Sequence, residues 1–457
     1  MSPGTAFHVL TCAFAVASLP GGSTVSGADA GLSEKIDAIM APVAGQDLPG
    51  AAVVVLQDGE VVHNRAYGLA NVELGVPNTT RTRFRLGSVT KSFTALTVMQ
   101  LVEQERLRID DVLERYLPGF SGGDRITIHH LLTHTAGLPD FMPLDEAGKL
   151  PRDSAPGERL NYSNIGYSAL SRVIEKVTGK SYEENLREAI LAPLGMGDTG
   201  VDRRKVIEKG RASGYLFAPG AGIVNAEYTD MDADPAAGGL HSTAEDMTRW
   251  VKALLTHRIV TAATLEKAMT PVTLAGGRKG AYGYGFMTIP YRGLREVGHG
   301  GDISGFNSYV AVYPDERLAV IVLSNVGMQP PGPLPTAATI VHRIVEVLVG
   351  ERLGPEWPAV AALTPALLQR YAGRYRLEVP GPVAQVMGDS IDITVEGGRV
   401  FASGKQGRAE IFPESETTFF SKEGPVRITF APGTEDAPME GVLSLLGLRE
   451  FRLTRVP

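Results

Sequence analysis

Apolar positions alternate with polar ones near both ends of this chain and fall into helical spacing between them. Ala52 to Leu56, an Asp58-Gly59 turn and Val61 to Tyr67 predict a β-hairpin. Leu170, Val173, Ile174 and Val177 recur at helical intervals, with Gly179 as the stop signal. Strands return at Tyr309 to Tyr313 and Leu318 to Leu323, either side of Pro314-Asp315. Ile340, Ile344 and Leu348 then mark one face of a last helix that ends at Gly350. Strands at both ends of a helical middle imply an α+β domain, over about 31–352, built on one antiparallel sheet whose edges come from distant sequence. A Pro-rich linker, 353–362, leads to a change of texture. Ile391 to Val395 alternates apolar and polar, and Gly397-Gly398 turns into Val400-Phe401. A small all-β barrel or sandwich is expected from Leu363 to Pro457.

Composition narrows the class without naming the chemistry. At 457 residues two or three domains are expected. Hydrophobic content of 43% and charged content of 21% describe a globular protein with a sizeable core. A net charge of -7 gives no reason to expect nucleic acid or an anionic membrane as partner. Val9 to Leu19 is a short apolar run, and Ala28-Asp29-Ala30 offers the small residues a signal peptidase needs, so residues 1–30 read as an export signal. No Lys or Arg precedes the run, which departs from the usual pattern, and it is too short to span a bilayer. The single cysteine, Cys12, lies inside it behind Leu10-Thr11, a poor lipobox. The mature chain would therefore use no disulfide, thiolate or cysteine-bound metal.

The most informative stretch is Ser88-Val89-Thr90-Lys91, followed by residues to Val102 without Gly or Pro and apolar almost all round, as in a buried helix. Positions i and i+3 are neighbours on a helix, so Lys91 can reach the Ser88 hydroxyl. A serine becomes a useful nucleophile when a positioned base takes its proton, and a buried lysine can be that base. Alone, the same residues would also describe a capping serine and a solvated lysine. A second motif, Asn161-Tyr162-Ser163-Asn164, precedes the helix of Leu170 to Val177. Tyr162 could relay protons and Asn164 could hold a substrate amide; the same residues also describe Ser163 or Asn164 capping the helix while Tyr162 packs. A third, Gly298-His299-Gly300-Gly301-Asp302, leads into the strand at Tyr309 and would let a substrate approach the backbone closely.

The three motifs, in this order, resemble the serine β-lactamase and penicillin-binding protein superfamily, in particular its class C β-lactamase, D-alanyl-D-alanine carboxypeptidase and esterase branch. The resemblance extends through Phe84 to Gly87, Ile128 to Leu138 and Gly238 to Thr243, over roughly Ser33 to Gly350. It implies Ser88 as acyl-accepting nucleophile, Lys91 as its partner and Tyr162 as catalytic tyrosine. Asn164, His299, Gly300 and Gly301 would contact substrate, and the backbone N–H groups of Ser88 and Asp302 would form the oxyanion hole. It also implies a lipocalin-like C-terminal module, shaping the cleft mouth or an oligomer contact. Where β-lactamases carry Lys-Thr-Gly, this chain has His299-Gly300-Gly301. That keeps a donor near Tyr162, of uncertain charge, and loses a hydroxyl for a substrate carboxylate unless Arg292 or Arg295 replaces it.

Other patterns carry less. Gly119-Phe120-Ser121-Gly122-Gly123 matches a nucleophile elbow but lacks the flanking strand and helix. His130 and His134 have zinc-ligand spacing without the intervening glutamate of a zinc-protease helix. Ser242-Thr243-Ala244-Glu245 reads as a capping box. The expected protein is a secreted serine hydrolase acting on small esters, amides or D-amino-acid peptides, with neither metal nor organic cofactor. β-Lactamase or carboxypeptidase activity is the alternative, and a penicillin-recognising sensor that acylates without turnover is the alternative of another class.

Overall fold

The computed structural model describes residues 27–456 apart from 45–46, 140–143, 145–148, 150–153, 219, 233, 329–334, 380–383, 385–386, 432–438 and 446. Most of the proposed export signal lies outside the described residues. A helix, α1 (Gly27–Met40), runs through the Ala28-Asp29-Ala30 segment.

The main sheet combines the N-terminal hairpin, β1 (Ala51–Gln57) and β2 (Glu60–Tyr67), with three late strands, β3 (Val297–Ile303), β4 (Phe306–Tyr313) and β5 (Leu318–Ser324). Its order is β3-β4-β5-β1-β2, antiparallel at each step. Both edges therefore come from distant sequence, as the pattern implied. Strand β1 is buried on both faces because each face is covered. Ala51, Val53 and Val55 pack with Ile36 and Met40 of α1 and with Ile340, Ile344 and Val345 of the late helix Ala337–Val349. Ala52, Val54 and Leu56 join the larger core on the other side. That core surrounds α2 (Thr90–Glu103), buried along nearly its whole length, with Phe93 stacked on Trp250.

Helix α3 (Asn164–Thr178) carries an apolar face and ends at Gly179, whose φ of 74° is the left-handed conformation that stops a helix at little steric cost. The barrel is closed and eight-stranded: each strand pairs with the next, and the last, Arg449–Arg455, with the first, Gly373–Leu377. A short helix, Pro365–Tyr371, precedes it and was not legible in the alternation. Among the described residues no helix is long and apolar enough to cross a membrane.

One expected cap shifts by a residue. Thr243, not Ser242, starts the helix Ala244–Leu255 and accepts from the Asp246 N–H, so Asp246 rather than Glu245 stands one turn on. Ser242 instead bonds Thr199 across the sheet formed with Phe84–Arg85.

Candidate active site

Ser88 occupies a single 3₁₀ turn, Gly87–Val89, that runs directly into α2 and sets Lys91 one turn deeper in the fold. Lys91 is fully buried. Its Nζ lies 3.1 Å from Ser88 Oγ, 2.7 Å from Asn164 Oδ1 and 2.6 Å from the Ala237 carbonyl oxygen. Those three acceptors match the three N–H donors of an ammonium group. The carbonyl is presented by a short helix, Pro235–Gly238, tied to α2 where Thr94 Oγ1 donates to Ala236 O at 2.8 Å.

Asn164 is the first residue of α3, and Tyr162 lies two residues before it, ahead of the extended Ser163. Ser163 has the N-cap position but makes no side-chain cap. Its hydroxyl turns to Pro139 O, and its N–H donates to His134 Nδ1 at 3.1 Å. Tyr162 is thereby brought over the lysine, with Nζ 4.8 Å from the ring centre.

Strand β3 supplies the opposite wall. Ile303 and Phe306 close a two-residue hairpin, so they form a hydrogen-bonded pair and the alternation points the N–H groups of Asp302 and Gly300 off the free edge. The same parity exposes Gly298, which exchanges two bonds with Met287 instead of β4. The Asp302 amide thus faces the Ser88 turn. Contact is so close that a Cβ on Gly87 would sit 2.8 Å from Asp302 N, and Gly87 has φ +54°. Gly301 lies against Leu86 and Ser308, where a side chain has no room. A Cβ on Gly300 would instead point at the Tyr309 ring, 3.2 Å away.

His299 behaves differently from the expectation of a donor near Tyr162. Its Nδ1 is 2.5 Å from the Gly300 carbonyl oxygen, which can only accept, so Nδ1 carries the proton. Nε2, 2.8 Å from the Tyr282 hydroxyl, is then the acceptor. Burial, reinforced by the Lys91 charge, lowers His299 to about 3. The ring is neutral, and neither nitrogen offers a donor to the cleft. Arg292 and Arg295 do not compensate: they pair with Glu346 and Glu266.

The sequence marked no role at the site for three contributors. His134, at φ +57°, packs its ring 4.2 Å from Tyr162 and 4.5 Å from Tyr282, and burial keeps it well below its usual pKa. It shares no site with His130, whose Nδ1 caps its own helix through the Thr127 N–H. Tyr282 and the Ala237 carbonyl are the other two; neither residue type nor spacing marked them. Ser121, by contrast, lies in a turn and takes no part.

A sequence profile of the Beta-lactamase family matches residues 32–342. The chain belongs to that family. It is 31% identical over 429 residues to penicillin-binding protein 4* of Bacillus subtilis (strain 168), covering 86% of this chain and 92% of that protein. The fold is similar to the octameric penicillin-binding protein homologue from Pyrococcus abyssi, at 27% identity and a TM-score of 0.60, covering 93% of this chain and 99% of the other. It is also similar to D-amino acid amidase from Ochrobactrum anthropi SV3, at 26% identity and a TM-score of 0.63, covering 70% of this chain and 99% of that one. Membership makes this protein a serine hydrolase.

Proposed function

We propose that this hydrolase cleaves small esters and amides, D-aminoacyl amides and short D-amino-acid peptides among them, through an acyl-Ser88 intermediate and in preference to β-lactams. The observation that carries this reading is the neutral His299, whose ring brings neither a cation nor a free N–H donor to the wall that would meet a substrate carboxylate. The similarity to a D-amino acid amidase supports the amide half of the class.

In the proposed reaction Ser88 Oγ attacks the substrate carbonyl carbon as its proton leaves for Tyr162. Lys91 already donates to three acceptors, which suits an ammonium that stabilises the phenolate rather than a base. Negative charge collects on the carbonyl oxygen between the N–H groups of Ser88 and Asp302. Tyr162 then protonates the departing alcohol or amine. Water enters, gives its proton to Tyr162 and attacks the ester carbonyl; as the bond to Ser88 Oγ breaks, Tyr162 passes that proton to Ser88, and the acid leaves with the hydroxyl and phenolate restored. Asn164 accepts from Lys91 through Oδ1, so its contribution to a substrate is as donor. An exported location fits both the apolar segment at Val9 to Leu19 and these substrates.

The test is a panel of p-nitrophenyl acetate, D-phenylalanine amide, a D-Ala-D-Ala peptide and nitrocefin with the full chain. A hydrogen bond to a charged group contributes roughly 1.5–3 kcal/mol, so kcat/KM for neutral substrates should exceed that for nitrocefin by about 10- to 100-fold. Faster turnover of nitrocefin would overturn the preference. A fluorescent acylating probe that binds and is never released would favour the sensor instead.

A further inference from the structure

Among the described residues, the barrel meets the catalytic domain at Tyr162. The turn between strands Glu440–Leu445 and Arg449–Arg455 meets the segment around Asn161 as though it were another strand, with Asn161 and Arg449 forming an antiparallel bridge. The Tyr162 N–H donates to the Leu448 carbonyl at 3.0 Å. The Arg449 guanidinium donates to the Tyr162 carbonyl, also at 3.0 Å, across 287 residues of sequence. Both backbone polar groups of Tyr162 are therefore held by the barrel.

The surrounding contacts make this a built joint. Arg278 grips the buried Glu450 carboxylate with two nitrogens, one at 2.8 Å. Gly447, at φ +67°, lies so close that a Cβ there would be 2.7 Å from the Ala281 side chain. Leu448 packs into the cluster of Leu160, Val272, Leu274 and Tyr282. Tyr282 is the residue that holds His299, so the same turn braces both walls of the cleft.

We propose that the turn Gly447-Leu448-Arg449 is a positioning element of the active site, and that Arg449 acts on the reaction by fixing the Tyr162 backbone. This rests on the reading of Tyr162 as the proton-moving group. The side chain of a residue two positions before the lysine's partner Asn164 can be aimed only as well as its backbone is fixed. An untethered Tyr162 would keep its ring in the cleft but lose alignment with Ser88, and a misplacement near 1 Å can cost about 10²-fold.

The experiment is a double-mutant cycle on the full chain with p-nitrophenyl acetate. Arg449→Ala should lower kcat by about 10- to 100-fold with KM nearly unchanged, and Arg449→Lys, which keeps one donor, should recover part of the loss. In a Tyr162→Phe background Arg449→Ala should lower kcat less than about two-fold, because the group it aims is gone. A structural role alone would give the same loss in both backgrounds, and that result overturns the proposal. So does a folded Arg449→Ala enzyme of unchanged kcat while Tyr162→Phe is severely impaired, which leaves the role of Tyr162 standing. Unchanged kcat in Tyr162→Phe itself overturns the reading of Tyr162, and the proposal with it. Should Arg449→Ala fail to fold, Arg449→Lys and Arg449→Gln carry the cycle.

Discussion

Alanine at Gly87 isolates the contact between the Ser88 turn and the edge of the sheet. Gly87 has φ +54°, and a Cβ there would lie 2.8 Å from Asp302 N and 3.1 Å from Asp302 O. Non-bonded heavy atoms are comfortable near 3.5 Å. The Ser88 turn and strand β3 must therefore separate by roughly half an ångström, moving apart the two N–H groups proposed to bind the oxyanion. Complete loss of one such donor costs about 10² to 10³ in kcat, so a partial displacement should slow acylation by about 10- to 100-fold. The left-handed backbone adds about 1–2 kcal/mol of strain, a fall in Tm of roughly 2–8 °C. Gly59→Ala is the control: Gly59 has φ +83° in a turn with nothing within 4 Å of its Cβ position. It should lose similar stability and keep wild-type acylation. The measurement is the burst rate of p-nitrophenol release, alongside thermal melts of both variants. A folded Gly87→Ala protein acylating within two-fold of wild type would refute the oxyanion site described for Ser88 and Asp302.

The remaining expectations concern proton traffic and pH. Ser88→Ala should abolish acylation and leave the protein folded, since Ser88 caps no helix and Lys91 keeps Asn164 and Ala237 as acceptors; residual turnover that vanishes on Ser121→Ala would identify a different nucleophile. Lys91→Met and Tyr162→Phe should each lower kcat by about 10² to 10⁴ while KM moves little, as steady-state kinetics will show. Burial lowers His63 from its ordinary value of 6.5 to about 4. Below pH 6.5 the unfolded chain binds a proton that the folded chain refuses, so this stability is present above 6.5 and lost as pH falls towards 4. Wild-type unfolding free energy should fall by about 1.4 kcal/mol per pH unit more steeply than that of His63→Gln between pH 6 and 4.5; urea titrations with equal slopes would contradict it.

Much of this was visible in the chain because it is local. The β1–β2 hairpin announces itself through alternation and Asp58-Gly59, α3 through its apolar spacing and Gly179, and Ser88 through its three-residue interval to Lys91. What stayed hidden depends on strand parity or on long-range packing. Whether His299 offers a donor depends on its neighbour's carbonyl and on Tyr282, and neither is a property of the motif. Gly300 seemed to mark a missing substrate contact, yet its Cβ direction faces Tyr309, so a threonine there would press on the ring. His134 stood inside a recognised motif but showed its place beside Tyr162 only once the chain folded. The attachment of the barrel to Tyr162 uses that residue's backbone N–H and carbonyl, which every residue but proline has and no sequence pattern marks.

The closure of the sheet has a consequence for when the enzyme comes into being. Ser308 on β4 donates its hydroxyl to Leu86, two residues before the nucleophile and 222 residues earlier in the chain. A growing polypeptide therefore carries Ser88 and Lys91 long before it owns the wall that would stabilise a reaction there. Contacts so far apart in sequence form late in folding. A nascent or truncated chain that ends before β3 lacks the Asp302 N–H proposed as half of the oxyanion site, and on that reading is chemically silent. On the proposed mechanism, hydrolysis by this protein reports that synthesis has passed the late strands that close on the Ser88 turn.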